Sequence, residues 1–314
     1  MNLHRRSQRW AGIGVGLIVS AAGAALAAAP KPPPTAPTMA AVIADSVAAD
    51  WRPLDPEQTL YLQLEGGRVI LELAPQFAPA HVKNIKTLVR QRYFDGLKIL
   101  RVQDNYVVQW GDPEAGNRDQ ARALGAAQPR LVPEFSIGYD AQSPFTRLPG
   151  TDGYAPVAGF AAGFAVGRDP ASKQTWLAHC YGALGVGRDD AEDSGNGAEL
   201  YVVIGHAPRH LDRNIAVVGR VVQGIEWLSA LPRGSASMGF FAKPEQRIAL
   251  HSIRLAADLP AAERVDLDIL RTDTKTWNAW VESRRNRQES WFKRAAGFAD
   301  LCNIPVPVRA HPAR

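Results

Sequence analysis

Arg101 and Gln109 are the residues whose types and spacing first suggest chemistry. They lie in residues 93–113, YFDGLKILRVQDNYVVQWGDP. Apolar runs on either side of the polar triplet Gln103-Asp104-Asn105 predict two strands, Lys98–Val102 and residues 106–110, joined as a hairpin. Strict alternation would put Ile99 and Arg101 on one face, Leu100 and Val102 on the other, and Val107 beside Gln109. A guanidinium and an amide then converge on an apolar, aromatic surface, which is the composition of a small recognition site. A lone strand arginine is more often a solvated edge residue. Here the surrounding phrase argues for a role.

That phrase resembles the cyclophilin family of peptidyl-prolyl isomerases. In that family Tyr-x-x-Gly-hydrophobic-x-x-x-Arg-Val, a turn, an aromatic, a Gln and Gly-Asp-Pro occur in this order. Arg101, Tyr106, Gln109 and Gly111-Asp112-Pro113 carry the likeness most specifically. It extends, with insertions, over about residues 58–256, through residues 70–75, 182–187 and 199–219. The resemblance implies a mainly β fold: a closed eight-stranded antiparallel barrel capped by two helices, isomerising Xaa-Pro bonds without a cofactor.

Amide resonance sets a barrier of about 18–20 kcal/mol for that rotation. No nucleophile is required to lower it. A donor aimed at the prolyl nitrogen as it pyramidalises helps, as does a dry pocket for the ring. An arginine, always charged and rich in fixed donors, suits the task. By resemblance Arg101 is the catalytic residue, Gln109 binds the substrate backbone, and Tyr106, Val107, Tyr201 and Leu211 line the proline pocket. Gly187, Arg188, Glu199, His210 and Ile215 complete the groove. Several of these depart from the family. Leu100 stands where a His usually precedes Arg-Val, Glu199 where a Gln is usual, and Arg188 where an Asn commonly fixes the peptide backbone. Ile215 replaces a pocket His, and His210 replaces the Trp that favours cyclosporin binding. Glu199 is placed to pair with Arg101 or Arg188. The competing reading is a barrel that holds proline-containing segments without turnover.

The positioning elements can be read in order. Residues 59–66 and Arg68–Leu73 alternate around Gly66-Gly67, a hairpin signal. Residues 78–92 have helical spacing, with Val82, Ile85, Leu88 and Val89 on one stripe. Residues 138–173 are rich in Gly, Pro, Ala and Asp and read as a long connection, a lid or, preferably, a neutral surface elaboration. Residues 182–187 (GALGVG) lack the strand-to-helix setting of a phosphate loop. They read instead as a groove-wall strand whose glycines admit a peptide backbone. Residues 199–204, 217–222 and 246–255 read as strands and 223–231 as a helix. Residues 39–49 have the pattern expected of a short amphipathic helix. Beyond Ala256, residues 261–270 and 274–293 read as helices. The second has seven basic and three acidic residues over 271–294, with Trp277, Trp280 and Trp291 packing it onto its own domain.

Residues 1–29 combine a basic start, an apolar run and Ala25-Leu26-Ala27, the layout of an export signal ending at residue 27. An uncleaved membrane anchor is the alternative. Residues 28–56 include the proline-rich stretch 30–37, an extended tether. The isomerase domain spans 57–258, with an insertion over about 138–175, and residues 259–314 form a C-terminal helical extension. Removing Arg5, Arg6 and Arg9 from 36 basic residues leaves 33 against 31 acidic ones, which gives nucleic-acid binding little support. Cys180 and Cys302 are the only cysteines. In an exported protein such a pair suits a disulfide, although sequence alone leaves their proximity open. His179-Cys180 and His206-x3-His210 have zinc-ligand types, but Ala207-Pro208 breaks the helix that i, i+4 ligation needs. No metal is expected. No serine sits in a Gly-x-Ser-x-Gly turn. The expectation is a monomeric, periplasmic isomerase acting on exported polypeptides.

Overall fold

The computed structural model describes residues 36–117 and 119–311. The expected export signal and most of the proline-rich tether lie outside the described residues. In chain order come α1 (Met39–Ala44), β1 (Trp51–Pro53), β2 (Thr59–Gln63), β3 (Arg68–Leu73), α2 (Pro79–Arg90), β4 (Lys98–Val102) and β5 (Val107–Gly111). Then follow β6 (Ile137–Gly138), β7 (Thr146–Arg147), β8 (Val157–Ala161), β9 (Phe164–Asp169) and β10 (Gln174–Leu177). The chain continues through β11 (Ala183–Val186), β12 (Leu200–Val203), β13 (Val217–Gln223), α3 (Glu226–Ser229), β14 (Ile248–Ala249) and β15 (Ser252–Leu255). It ends with β16 (Leu267–Leu270), α4 (Lys275–Arg285) and β17 (Val308–Ala310).

Nine strands make one curled antiparallel sheet in the order β14-β4-β5-β12-β11-β13-β3-β2-β15. Alternation sends Leu60, Leu62, Leu71, Val108, Trp110 and Val202 into a common core, where Val82, Ile85, Leu88 and Val89 of α2 meet them. The expected final strand is broken at Leu250. Its first half pairs with β4 and its second with β2. Between them, Leu250 N–H donates to Leu97 O and His251 N–H to Gln63 O, each at 3.0 Å. The expected eight strands are therefore nine paired segments, and the two edge strands are neighbours in sequence.

Alternation fails where it matters most. In β4 the register slips between Ile99 and Arg101, so Ile99 and Val102 both enter the core. Arg101 does not share a face with Ile99; a bulge at Leu100 re-aims it. The expected helix over 223–231 shrinks to α3, because Gln223 is still paired with Ile70 in β13. The capping pair is thus one full helix and a single turn.

Residues 138–173, expected as a long connection, carry regular structure. A five-stranded antiparallel sheet, ordered β6-β10-β9-β8-β7, occupies this region. Its strands have two to six residues, too short for a readable period. Phe164, Val166 and Leu177 of this sheet pack with Val107, Tyr201 and Val203 on the outer face of the main sheet. The C-terminal extension also differs from expectation. Within the expected helix 261–270, residues 267–270 form β16, which lies between β1 and β17. Partner strands far away in sequence override local helix propensity there, and Asp268 is held by Arg309 and His311. Helix α4 is capped by Thr274 Oγ1, which accepts from Trp277 N–H at 3.1 Å, and stops at Arg285 rather than Lys293. Cys180 and Cys302 are joined, with Cα atoms 4.9 Å apart, tying the extension to the connection between β10 and β11. No helix among the described residues is long and apolar enough to cross a membrane.

Candidate active site

The β4–β5 hairpin sets Arg101 directly opposite Gln109. Arg101 Nη1 donates to Gln109 Oε1 at 3.0 Å, Nε to Met238 O at 2.7 Å, and Nη2 to Gln103 Oε1. Its guanidinium carbon lies 5.4 Å from the Tyr106 ring centre and 5.5 Å from that of Phe240. Half-burial lowers the Arg101 pKa, but a guanidinium remains charged at neutral pH. A fixed cation therefore stands among aromatic rings. Of its five N–H donors, three engage protein acceptors.

The expected pocket residues come together. Val107 and Tyr201 belong to one apolar cluster, and Tyr106 and Ile215 pack against it. The Tyr106 ring lies parallel to that of His210, 6.4 Å between centres. Leu211 ends the short 3-10 turn Arg209–Leu211 beside it. At Gly185 and Gly187 the side chains of Tyr201 and Glu199 fill the places that a Cβ would take. Those glycines admit the protein's own side chains.

Behind the pocket runs a buried polar chain. His179 Nε2 meets the Tyr201 hydroxyl at 2.8 Å, and its Nδ1 meets Asp212 Oδ1 at 2.9 Å. With Nδ1 protonated toward the carboxylate, Nε2 accepts from Tyr201. Asp212 Oδ2 accepts from Arg209 Nε at 2.6 Å, and Arg209 reaches Asp152 of the insert through two bonds of 3.0 Å. Burial pushes Asp212 up, but hydrogen bonds and charge from His179 and Arg209 outweigh it and hold its pKa below the usual value. Burial raises the Tyr201 pKa well above normal. The phenol therefore stays neutral. His179, first weighed as a zinc ligand, has both ring nitrogens engaged in this chain.

Glu199 pairs with neither Arg101 nor Arg188. Its Oε1 accepts from Gln109 Nε2, and desolvation by burial raises its pKa. Arg188 is tied down elsewhere: Nε donates to Asn214 O at 2.9 Å and Nη1 to Asp189 O at 2.6 Å. Gln109 therefore turns its oxygen to Arg101 and its nitrogen to Glu199. Next to them opens a cavity of about 550 Å³ lined by Tyr93, Leu100, Gly187, Asp189, Glu199 and Phe240 among others. A second cavity, about 530 Å³, lies between β3, the insert and Arg271–Asp273 and touches none of the groove residues named here.

Met238, Phe240, His179, Arg209, Asp212 and Asp152 are site residues that sequence reading did not assign. A bridge between Phe240 and Arg101 and a bond from Phe241 N–H to Leu100 O at 3.1 Å bring the 232–241 loop over the groove. Nothing local marks that contact.

Comparison with known proteins gives a consistent result. The family model "Cyclophilin type peptidyl-prolyl cis-trans isomerase/CLD" matches residues 59–255. A "Probable peptidyl-prolyl cis-trans isomerase" of Brucella suis is 30% identical over 201 residues, 62% of this chain and 82% of that protein. Human "Peptidyl-prolyl cis-trans isomerase-like 1" is 34% identical over 87 residues, 28% of this chain and 48% of that one. The solved structure of cyclophilin AquaCyp293 from Hirschia baltica superposes with a TM-score of 0.67 at 24% identity, covering 88% of this chain and 99% of that one. That likeness is one of fold, and it takes in more of the chain than residues 59–255.

Proposed function

This chain belongs to the cyclophilin-type peptidyl-prolyl cis-trans isomerase family, and we propose that Arg101 is its catalytic residue, acting on Xaa-Pro bonds of exported polypeptides. The observation that carries this reading is the setting of Arg101. It is braced by Met238 O and Gln109 between the Tyr106 and Phe240 rings. Two of its five N–H donors stay available, enough to hydrogen-bond a prolyl nitrogen whose lone pair emerges as the amide twists. Fixed donors in a partly dehydrated setting stabilise that charge more than water does, because they need no reorganisation. Tyr106, Val107, Tyr201, Leu211 and Ile215 supply the apolar wall for the ring. Export is supported by the layout of residues 1–27 and by the Cys180–Cys302 bond, a linkage that persists in oxidising compartments. Mass spectrometry of the mature amino terminus tests it.

A second reading is favoured by one contact. Glu199 takes one of the two Gln109 amide N–H donors, which alters how the groove anchors a substrate carbonyl and favours a groove that holds proline segments without turning them over. NMR exchange spectroscopy on a capped Ala-Pro peptide separates the two. Faster cis–trans exchange on adding protein supports catalysis. Binding shifts without faster exchange support the holding reading.

A further inference from the structure

We propose that Glu199 makes the enzyme select substrates that carry a basic side chain close to the isomerising proline, an inference resting on the reading of the Arg101 groove as the peptide site. The Glu199 carboxylate bridges two spaces. Through Gln109 it touches the Arg101 site, and it also lines the adjoining cavity of about 550 Å³. Among the described residues it forms no ion pair.

Every cation lining that cavity is engaged elsewhere. Arg122 Nη1 donates to Tyr93 O and Asp95 O at 2.6 and 2.8 Å. Arg188 is held by Asn214, Asp189 and Asp190 carbonyls, and Arg130 by Asp193 at 2.5 Å. Asp112, which also faces the cavity, spends both oxygens on the Glu114 and Arg122 backbone N–H groups. Glu199 combines burial with the lack of a direct ion pair, since Gln109 stands between it and Arg101. Burial raises the Glu199 pKa, the Gln109 hydrogen bond lowers it, and the charges of Asp189 and Arg101 act on it in opposite directions. A half-buried carboxylate with no cation in direct contact gains when a binding partner brings one. An extended peptide crossing Arg101 places side chains every ~3.3 Å along the groove, so a residue or two from the proline reaches this cavity. A lysine or arginine there lays its methylene stem against Leu100 and Phe240 and offers its head group to Glu199.

The test uses two series of capped hexapeptides with a single proline. In one, the variable residue lies two positions before the proline; in the other, two positions after. Lysine is compared with norleucine, which keeps the stem and removes the charge. NMR on the intact protein reads both Kd, by shift titration, and the exchange rate. Wild type is expected to favour lysine by about fivefold in one series, the scale of a single partly exposed ion pair. Glu199→Gln, which keeps an acceptor for Gln109 and removes the charge, is expected to bring that ratio to about one, and added salt to shrink it in wild type. A wild-type ratio near one in both series overturns the proposal, as does a lysine preference that survives in Glu199→Gln. The Kd ratio decides even if no peptide is turned over, which would count against catalysis instead.

Discussion

Asp152→Ala asks whether the inserted sheet belongs to the active site. Asp152 holds Arg209 through two bonds of 3.0 Å, and the side chains of Arg209, Asp152 and Asp212 are only 4%, 6% and 3% exposed. Removing one partner of a buried pair costs about 3–5 kcal/mol, mostly because a desolvated charge is left behind. Arg209 would keep Asp212, but Asp212 is shared with His179, so we expect the lower end, about 3 kcal/mol. Guanidinium unfolding of the disulfide-intact protein reads this as a lower midpoint. The same chain ends on Tyr201 and carries the turn that bears His210 and Leu211. Asp152→Ala should therefore raise KM for a proline peptide more than it lowers kcat, and Asp152→Glu should recover part of the loss. A destabilisation below about 0.5 kcal/mol, the usual size for surface changes, with unaltered KM would refute the reasoning. The insert would then be a neutral elaboration.

Three further outcomes follow from the same contacts. Cys302→Ser should destabilise by about 5 kcal/mol on the chain-entropy model, since the bond closes a separation of 122 residues; unfolding midpoints with and without reductant check it, and equal values would contradict it. Asp212 has a depressed pKa in the fold, so its contribution is present above the ordinary aspartate pKa and is lost as pH falls through the lower folded value; an acid-unfolding series comparing wild type with Asp212→Asn should converge at low pH. Glu199 is shifted the opposite way. Its ionisation opposes folding, so Glu199→Gln should be more stable than wild type at neutral pH and lose that advantage below the ordinary glutamate range.

That Arg101 and Gln109 converge was legible from two apolar runs around a polar turn, but their register was not: a three-residue turn would set Arg101 opposite Val107, whereas the structure pairs it with Gln109. The bulge at Leu100 was not legible either, since one extra residue inverts side-chain parity without changing residue types. Helix α2 announced itself through a stripe that its partners then buried. Residues 267–270 misled because Leu267, Ile269 and Leu270 fit a helix locally, while their pairing with residues 51–53 lies far outside any window. The inserted sheet escaped for a related reason: two- to six-residue strands separated by turns carry no period, and their stability comes from covering Val107 and Tyr201. The buried chain from Tyr201 to Asp152 joins four separate segments, so no spacing in the sequence could display it.

Arg101 carries the proposed activity. A protease-coupled assay with a proline peptide, comparing wild type with Arg101→Ala, tests it directly. Loss of a preorganised donor to a developing charge costs about 10²- to 10³-fold in rate, and a fall in kcat/KM of that order is the predicted result. Equal rates for the two proteins would contradict the account.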